Sequence, residues 1–199
     1  MSALTWFAII LITVTTVGLL LVRDWRWLII YLAAQYFGML ILTLVHWPLS
    51  MASVKVVAGW MSAAILGMTR SNLPREDKAE RHSVLPRGRL FRFFAAIIVF
   101  IVSISVTPRI NTIMADAGFA VTFGSLLLVG MGLLQLGTSN QVFRVVLGLM
   151  TILTGFEILY AAVEGSVIVA ALLAVINLGL ALSGSYLMIA ANADEAESA

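Results

Sequence analysis

The amino-acid sequence predicts an all-α polytopic membrane protein with about seven transmembrane helices, the N-terminus outside and the C-terminus inside. Of its 199 residues, 61% are hydrophobic and 11% are charged, whereas soluble proteins carry about 25% charged residues. Apolar stretches of about 20 residues, enough to cross a bilayer as a helix, recur along nearly the whole chain. The absence of cysteine excludes disulfides and cysteine ligands to iron–sulfur clusters.

Charges and a proline separate the first three predicted spans, which we group as an N-terminal unit, residues 1–68. The first span, about Leu4–Val22, lacks the basic start and the cleavage site of a signal peptide, so we expect it to be retained. The second runs from about Trp27 to Val45. Pro48 begins the third, about Leu49–Met68, at a helix position where proline is well tolerated.

Four further spans form a predicted C-terminal unit, residues 90–191. They are about Leu90–Thr107, Phe119–Leu136, Gln141–Ala162 and Ser166–Ala191. Pro108 is expected to close the fourth span, and a turn of capping residues separates the fifth from the sixth. Glycines crowd the last three spans and predict close helix packing. The acidic tail, residues 192–199, is expected to be frayed and solvated.

The polar segment 69–89 is the longest loop, and it helps to define the orientation. With the N-terminus outside, ten basic residues fall on the cytoplasmic side, and only Arg109 falls on the outer side. This asymmetry favours the stated topology and explains the net charge of +2 without a nucleic-acid partner. The loop itself is open to three interpretations: a topogenic loop, a patch for anionic lipids, or a docking strip for a soluble partner.

Two opposite charges, Lys55 and Glu157, are predicted to lie inside spans. A charge at that depth costs about 3 kcal/mol on insertion scales, so each of the two residues is a candidate functional residue. At a rise of about 1.5 Å per residue, Glu157 lies about 8 Å inside the outer end of the sixth span, and Lys55 about 9 Å inside that of the third. The matching depth allows an ion pair. Alternatively, Lys55 extends its stem to the surface and Glu157 faces a wet crevice on its own.

Other polar residues offer weaker candidates for ion coupling. Glu164 lies on the same helix face as Glu157, seven residues later, and is either a further coupling residue or an interfacial helix-end carboxylate. Asn177 and Gln35 lie within spans, where each is either an interhelical hydrogen-bond partner or an ion ligand. The sequence contains no histidine pair at ligand spacing, no phosphate-binding loop and no hydrolase motif, so we expect neither a metal site nor a cofactor.

Short motifs in the last three predicted spans support a family resemblance. They are Arg144, Gly148-Leu149, Gly165-Ser166 and the run Asn-Leu-Gly-Leu-Ala-Leu at 177–182. On these residues, the region 119–191 resembles the K subunit of respiratory complex I and the C subunit of Mrp-type cation/proton antiporters. With four spans ahead of this region and Lys55 in the third, the whole layout is similar to hydrogenase-4 component E.

The chain departs from this family at two positions. The K-subunit family places a glutamate directly after the Gly-Leu pair, where this chain has Met150, and a second near Val175. Glu157 lies two turns beyond Met150 on the same helix face, which suggests a relocated site.

The resemblance implies a non-catalytic membrane subunit of a complex-I-like or group-4-hydrogenase-like assembly in a bacterial or archaeal cytoplasmic membrane. Its implied partners are lipid, antiporter-like integral membrane subunits and a peripheral redox module on the cytoplasmic side. A buried polar axis would then contribute to proton or sodium translocation. The candidate residues of this axis are Glu157, Lys55, Glu164 and Asn177. The alternative function is a structural adaptor that packs larger subunits without conducting ions, and a self-contained transporter is disfavoured because no internal repeat is evident.

Overall fold

The structure, a computed structural model, describes residues 3–73, 88–114 and 116–197. In chain order the helices are α1 (Ala3–Leu21), α2 (Trp25–Thr43), α3 (Leu49–Asn72), α4 (Arg89–Ile113), α5 (Phe119–Thr138), α6 (Val142–Val163) and α7 (Val167–Glu197). Over these residues, seven helices are long and apolar enough to cross a membrane, and there is no strand. The predicted fold class, an all-α polytopic membrane protein, is therefore confirmed.

The ends of three helices differ from the predicted spans. The fourth helix does not end at Pro108 but continues to Ile113, because proline removes one backbone hydrogen bond without breaking a helix whose other bonds remain. The seventh helix runs to Glu197 through the predicted tail, since alanine and glutamate there are strong helix formers. The third helix extends to Asn72. Residues 74–87 of the predicted loop lie outside the described residues.

Close backbone contact joins α5 and α6, as the glycine content predicts. A Cβ built on Gly155 would lie 2.8 Å from the carbonyl oxygen of Ser125, and one on Gly132 would lie 2.8 Å from that of Gly148. Larger side chains at these positions would therefore push the two helices apart. Because the two backbones are so close, the Ser125 hydroxyl on α5 donates a hydrogen bond of 2.7 Å to the Gly155 carbonyl on α6.

The two predicted units share one hydrophobic core. Helix α3 packs along α7, α2 packs against α6, and α1 packs against α5. Leu19 and Leu32 from the first unit belong to the same buried cluster as Leu128 and Leu147 from the second. Helix α4 is peripheral: only 17% of its most apolar stretch is buried within the chain, against 61% for α5 and α6. The division into two units stays a prediction.

Two arginines hold helix ends together at the predicted inner side. The Nη2 of Arg144 on α6 donates to the carbonyl of Val22 at 2.7 Å, just beyond the end of α1. The Nη2 of Arg92 on α4 donates to the carbonyl of Thr138 at 3.0 Å, at the end of α5. The last carbonyls of a helix lack intrahelical donors and carry the negative end of its dipole, so guanidinium groups stabilise them. Both arginines therefore stabilise helix ends, in addition to their predicted effect on topology.

Side chains also link the turns at the predicted outer end. The indole N–H of Trp47, in the α2–α3 turn, donates to the carbonyl of Glu164 after α6 at 3.0 Å. The Nε2 of His46 lies 3.0 Å from the carbonyl of Asp116 between α4 and α5. Because a carbonyl oxygen only accepts, the His46 ring donates this bond.

The predicted orientation can be tested with single cysteines, since the chain contains none. Gly165 and Asn140 are both exposed, in the turns at the predicted outer and inner ends respectively. We expect Gly165→Cys to react with a membrane-impermeant maleimide on intact cells, and Asn140→Cys to react only after permeabilisation. The cysteine-free parent chain gives the background. The reverse labelling pattern would place the N-terminus inside.

The capping role of Arg144 predicts a measurable loss of stability. We expect Arg144→Met to lower the free energy of unfolding by about 1.5–3 kcal/mol, because a charged donor is lost and the Val22 carbonyl remains. The measurement is the thermal unfolding midpoint of the purified chain in detergent. The matched control, Arg109→Met, removes an exposed arginine at the opposite end. Equal losses in both variants would contradict the capping role.

Candidate functional site

A fully buried ion pair lies inside the helix bundle. The Nζ of Lys55 donates to Oε1 of Glu157 at 2.6 Å, and the two side chains are 1% and 0% exposed. Lys55 is six residues from the start of α3 and Glu157 is six residues from the end of α6, so both lie about 9 Å inside their helices. The predicted pairing is therefore confirmed, and neither side chain reaches the surface separately.

Four helices surround this pair in a ring. Helix α3 packs on α2 and α7, and helix α6 packs on the same two helices. The pair connects α3 with α6 across the centre of the ring. Because lysine carries its charge on a flexible four-carbon stem, Lys55 can reach a carboxylate across the bundle.

A second polar pair crosses the same ring in the other direction. The hydroxyl of Tyr36 on α2 donates to Oδ1 of Asn177 on α7 at 2.9 Å, and both residues are fully buried. A Cβ built on Gly59 would overlap the Tyr36 ring, so this glycine, one turn after Lys55, makes room for it. Asn177 therefore acts as an interhelical hydrogen-bond partner, one of its two predicted roles.

Threonines extend the polar cluster along α6 toward the predicted inner side. Thr151, Thr154 and Glu157 follow one another at intervals of three residues, so each is a neighbour of the next on the helix surface. The Nε2 of Gln35 donates to Oγ1 of Thr151 at 3.5 Å, the limit for a hydrogen bond. Thr154 is also fully buried, and its hydroxyl donates to the carbonyl of Met150 at 2.8 Å. The cluster of Lys55, Glu157, Tyr36, Asn177, Thr154, Thr151 and Gln35 is called the polar ring site below.

The structure does not bring Glu164 to the polar ring site. Its side chain is exposed, and the residue forms the C-cap of α6. The two positions at which the resembling family has glutamates are apolar here and do not belong to the polar ring site. Met150 is buried in the apolar core, and Val175 is 63% exposed on the outside of the chain. Over the described residues, no group of three or more His, Asp or Glu side chains could hold a metal ion.

Tyr36, Thr151 and Thr154 are site residues that the sequence alone did not single out as candidates. Tyr36 adjoins Gln35 in the middle of an apolar span, and Thr154 lies three residues before Glu157. For Thr154, its position within one turn of the buried charge of Glu157 was the available signal. The partner of Tyr36 depends on which helices lie next to each other in the bundle. The spacing of residues along a single helix does not give this information.

The fold and the polar ring site define a polytopic helical membrane protein with a charged pair buried at the centre of four helices. Comparisons with protein-family models, with curated proteins and with solved structures give no match. The resemblance to complex I subunits and hydrogenase-4 component E therefore stays a prediction from the residues.

The buried pair predicts strong coupling between its two partners. We expect Lys55→Met and Glu157→Met each to lower the free energy of unfolding by about 3–5 kcal/mol, because each leaves an uncompensated buried charge. The double variant removes both charges, so it should be more stable than either single variant. Thermal unfolding of the four proteins in detergent measures this cycle. Additive losses in the double variant would contradict a direct interaction.

Proposed function

We propose that this chain is a non-catalytic membrane subunit of an ion-translocating assembly similar to complex I or to group-4 hydrogenases. In this assembly it contributes to proton or sodium translocation through the polar ring site. The observation that carries the proposal is the Lys55–Glu157 ion pair, buried at the centre of α2, α3, α6 and α7.

A buried ion pair is poorly explained by stability alone. Desolvation of two charges can exceed their attraction, and apolar replacements of similar volume are often neutral or stabilising. Ionisable residues within membrane spans typically mark ion pathways or proton relays. The chain also has an apolar core and close α5–α6 packing that do not involve the pair. The charges at the centre of the ring therefore support a functional role.

The geometry supports a coupling mechanism based on pairing and separation. While Lys55 holds Glu157, the carboxylate stays ionised and its charge is neutralised. Separation of the two would leave a desolvated carboxylate that favours binding of a proton or another cation. Because the pair connects α3 to α6, a shift of either helix driven by a neighbouring subunit would change the charge state of the site. We propose antiporter-like membrane subunits as those neighbours, with a redox module on the cytoplasmic side.

The peripheral position of α4 favours a second candidate function, a structural adaptor. Most of this helix is not covered by the rest of the chain. An apolar groove between α4 and α5, lined by Ile98, Val102, Val129 and Gly130 among others, opens at its side. Apolar, partly uncovered helices would suit contact with larger membrane subunits, and such a role would require no charges at the polar ring site.

Two charge-removing variants test the proposed function in the assembled complex. The tagged full-length chain is purified with its partners, and ion uptake is measured in proteoliposomes during turnover. We expect Glu157→Gln and Lys55→Met to reduce coupled ion uptake about tenfold or more, equivalent to about 1.4 kcal/mol. Uptake is expressed per purified complex that retains all subunits, so that the loss of stability in Lys55→Met does not count as a loss of coupling.

Glu164→Gln is the matched control, because it removes a carboxylate at the end of the same helix but outside the polar ring site. It should leave ion uptake unchanged. An intact complex in which Glu157→Gln and Lys55→Met also couple normally would contradict ion conduction here and favour the adaptor.

A further inference from the structure

Three side chains of the polar ring site each keep one polar atom without a protein partner among the described residues. These atoms are Oε1 of Gln35, Oε2 of Glu157 and Nδ2 of Asn177. Each of the three residues is 0% exposed. Buried polar groups in proteins are nearly always hydrogen-bonded, to protein or to ordered water, so three such atoms in one cluster require an explanation.

The three atoms belong to residues of the polar ring site whose other polar atoms form bonds between helices. Asn177 accepts a hydrogen bond from the Tyr36 hydroxyl, Glu157 accepts one from Lys55, and Gln35 donates one to Thr151. The free positions comprise two acceptors and one donor, and the Lys55 ammonium carries three N–H donors, one of which it uses on Glu157. The ligand that satisfies them must therefore both donate and accept hydrogen bonds.

We propose that α2, α3, α6 and α7 enclose a site for internal water that joins the Lys55–Glu157 pair to the Tyr36–Asn177 pair. Water both donates and accepts, and a buried water typically makes about three hydrogen bonds. One or two water molecules would form hydrogen bonds with Glu157 Oε2 and Asn177 Nδ2. Gln35 Oε1 would be the next hydrogen-bonding group toward the predicted inner side.

The charges favour water over a sodium or potassium ion at this site. Lys55 already neutralises Glu157 at 2.6 Å, so an added cation would meet an ammonium group in a medium of low dielectric constant. The Asn177 amide also presents N–H donors, which repel a cation. An anion is disfavoured by Glu157. A small neutral molecule is the class of ligand that the site accepts.

The consequence for the transported ion rests on the proposed function, whereas the water site itself does not. Once Lys55 and Glu157 have separated, a hydrated proton that reaches the site would transfer its proton to Glu157 Oε2, leaving a water molecule and a neutral carboxyl group. The reverse step returns the proton to water, and the ionised carboxylate can then pair with Lys55 again. In that role the site would pass protons and exclude sodium.

Lysine labelling gives a selective test, because the chain has only two lysines, Lys55 and Lys78. Lys78 lies outside the described residues, and Lys78→Arg leaves a single ¹⁵Nζ-lysine signal from Lys55. The full-length chain in lipid bilayers is studied by water-edited solid-state NMR, which measures magnetisation transfer from water to the ammonium nitrogen. We expect transfer to Lys55 that persists when a soluble paramagnetic chelate quenches bulk water.

No transfer would overturn the proposal, because the site would then be dry. Transfer that disappears with the chelate would also overturn it, because the water would then belong to an open crevice. Replacing choline chloride with sodium or potassium chloride should not move the Lys55 signal. A saturable shift with either salt would identify a cation site instead.

Two variants on α7 refine the test. Asn177→Leu should reduce the transfer by about half or more, since a buried water loses one of about three partners. Ser185→Ala is the matched control, because Ser185 also has a buried hydroxyl without a protein partner among the described residues, eight positions further along α7. It should leave the transfer unchanged.

The test uses the isolated chain, so its failure is distinct from failure of the proposed function. Water at Lys55 combined with normal ion coupling in Glu157→Gln would refute the proposed function and retain the water site. A dry Lys55 combined with lost ion coupling would refute the water site and retain the proposed function.

Discussion

The Lys55–Glu157 ion pair is the interaction on which the arrangement of the inner helices depends. Each charge alone would be costly in the bilayer, so each requires the other at the same depth. Their contact fixes α3 and α6 on opposite sides of a ring completed by α2 and α7. The Tyr36–Asn177 bond fixes the other two helices across the same ring. Two polar contacts thus specify the rotation and depth of four helices at once.

The remaining helices are held by contacts that use no buried ion pair. Small residues bring α5 and α6 into backbone contact, and Arg144 and Arg92 cap the ends of α1 and α5. Van der Waals packing and interhelical hydrogen bonds are the usual sources of helix association in lipid. A chain that already uses both has little need of a buried ion pair for stability, which strengthens the functional interpretation of Lys55 and Glu157.

The sequence was sufficient for the spans and for the depth of the charged pair, because both follow from local properties. Hydropathy depends on about 20 consecutive residues, and depth depends on a constant rise per residue. Neighbour order and rotation of the helices are not local, so the Tyr36–Asn177 contact could not be derived from spacing. Helix ends were the least accurate, because Pro108 loses one hydrogen bond without ending α4. Glu164 shares a helix face with Glu157, yet two further turns carry it out of the bundle.

The position of Glu157 along α6 follows from the position of Lys55. A glutamate at Met150, where the resembling family has one, would lie seven residues earlier, about 10 Å deeper along the helix. Lys55 could not contact a carboxylate at that depth while it remains in its present place on α3. Met150 instead packs in the apolar core, and Val175 faces outward. A carboxylate at 157 and a lysine at 55 are thus two parts of one arrangement, since each position is explained only by the other.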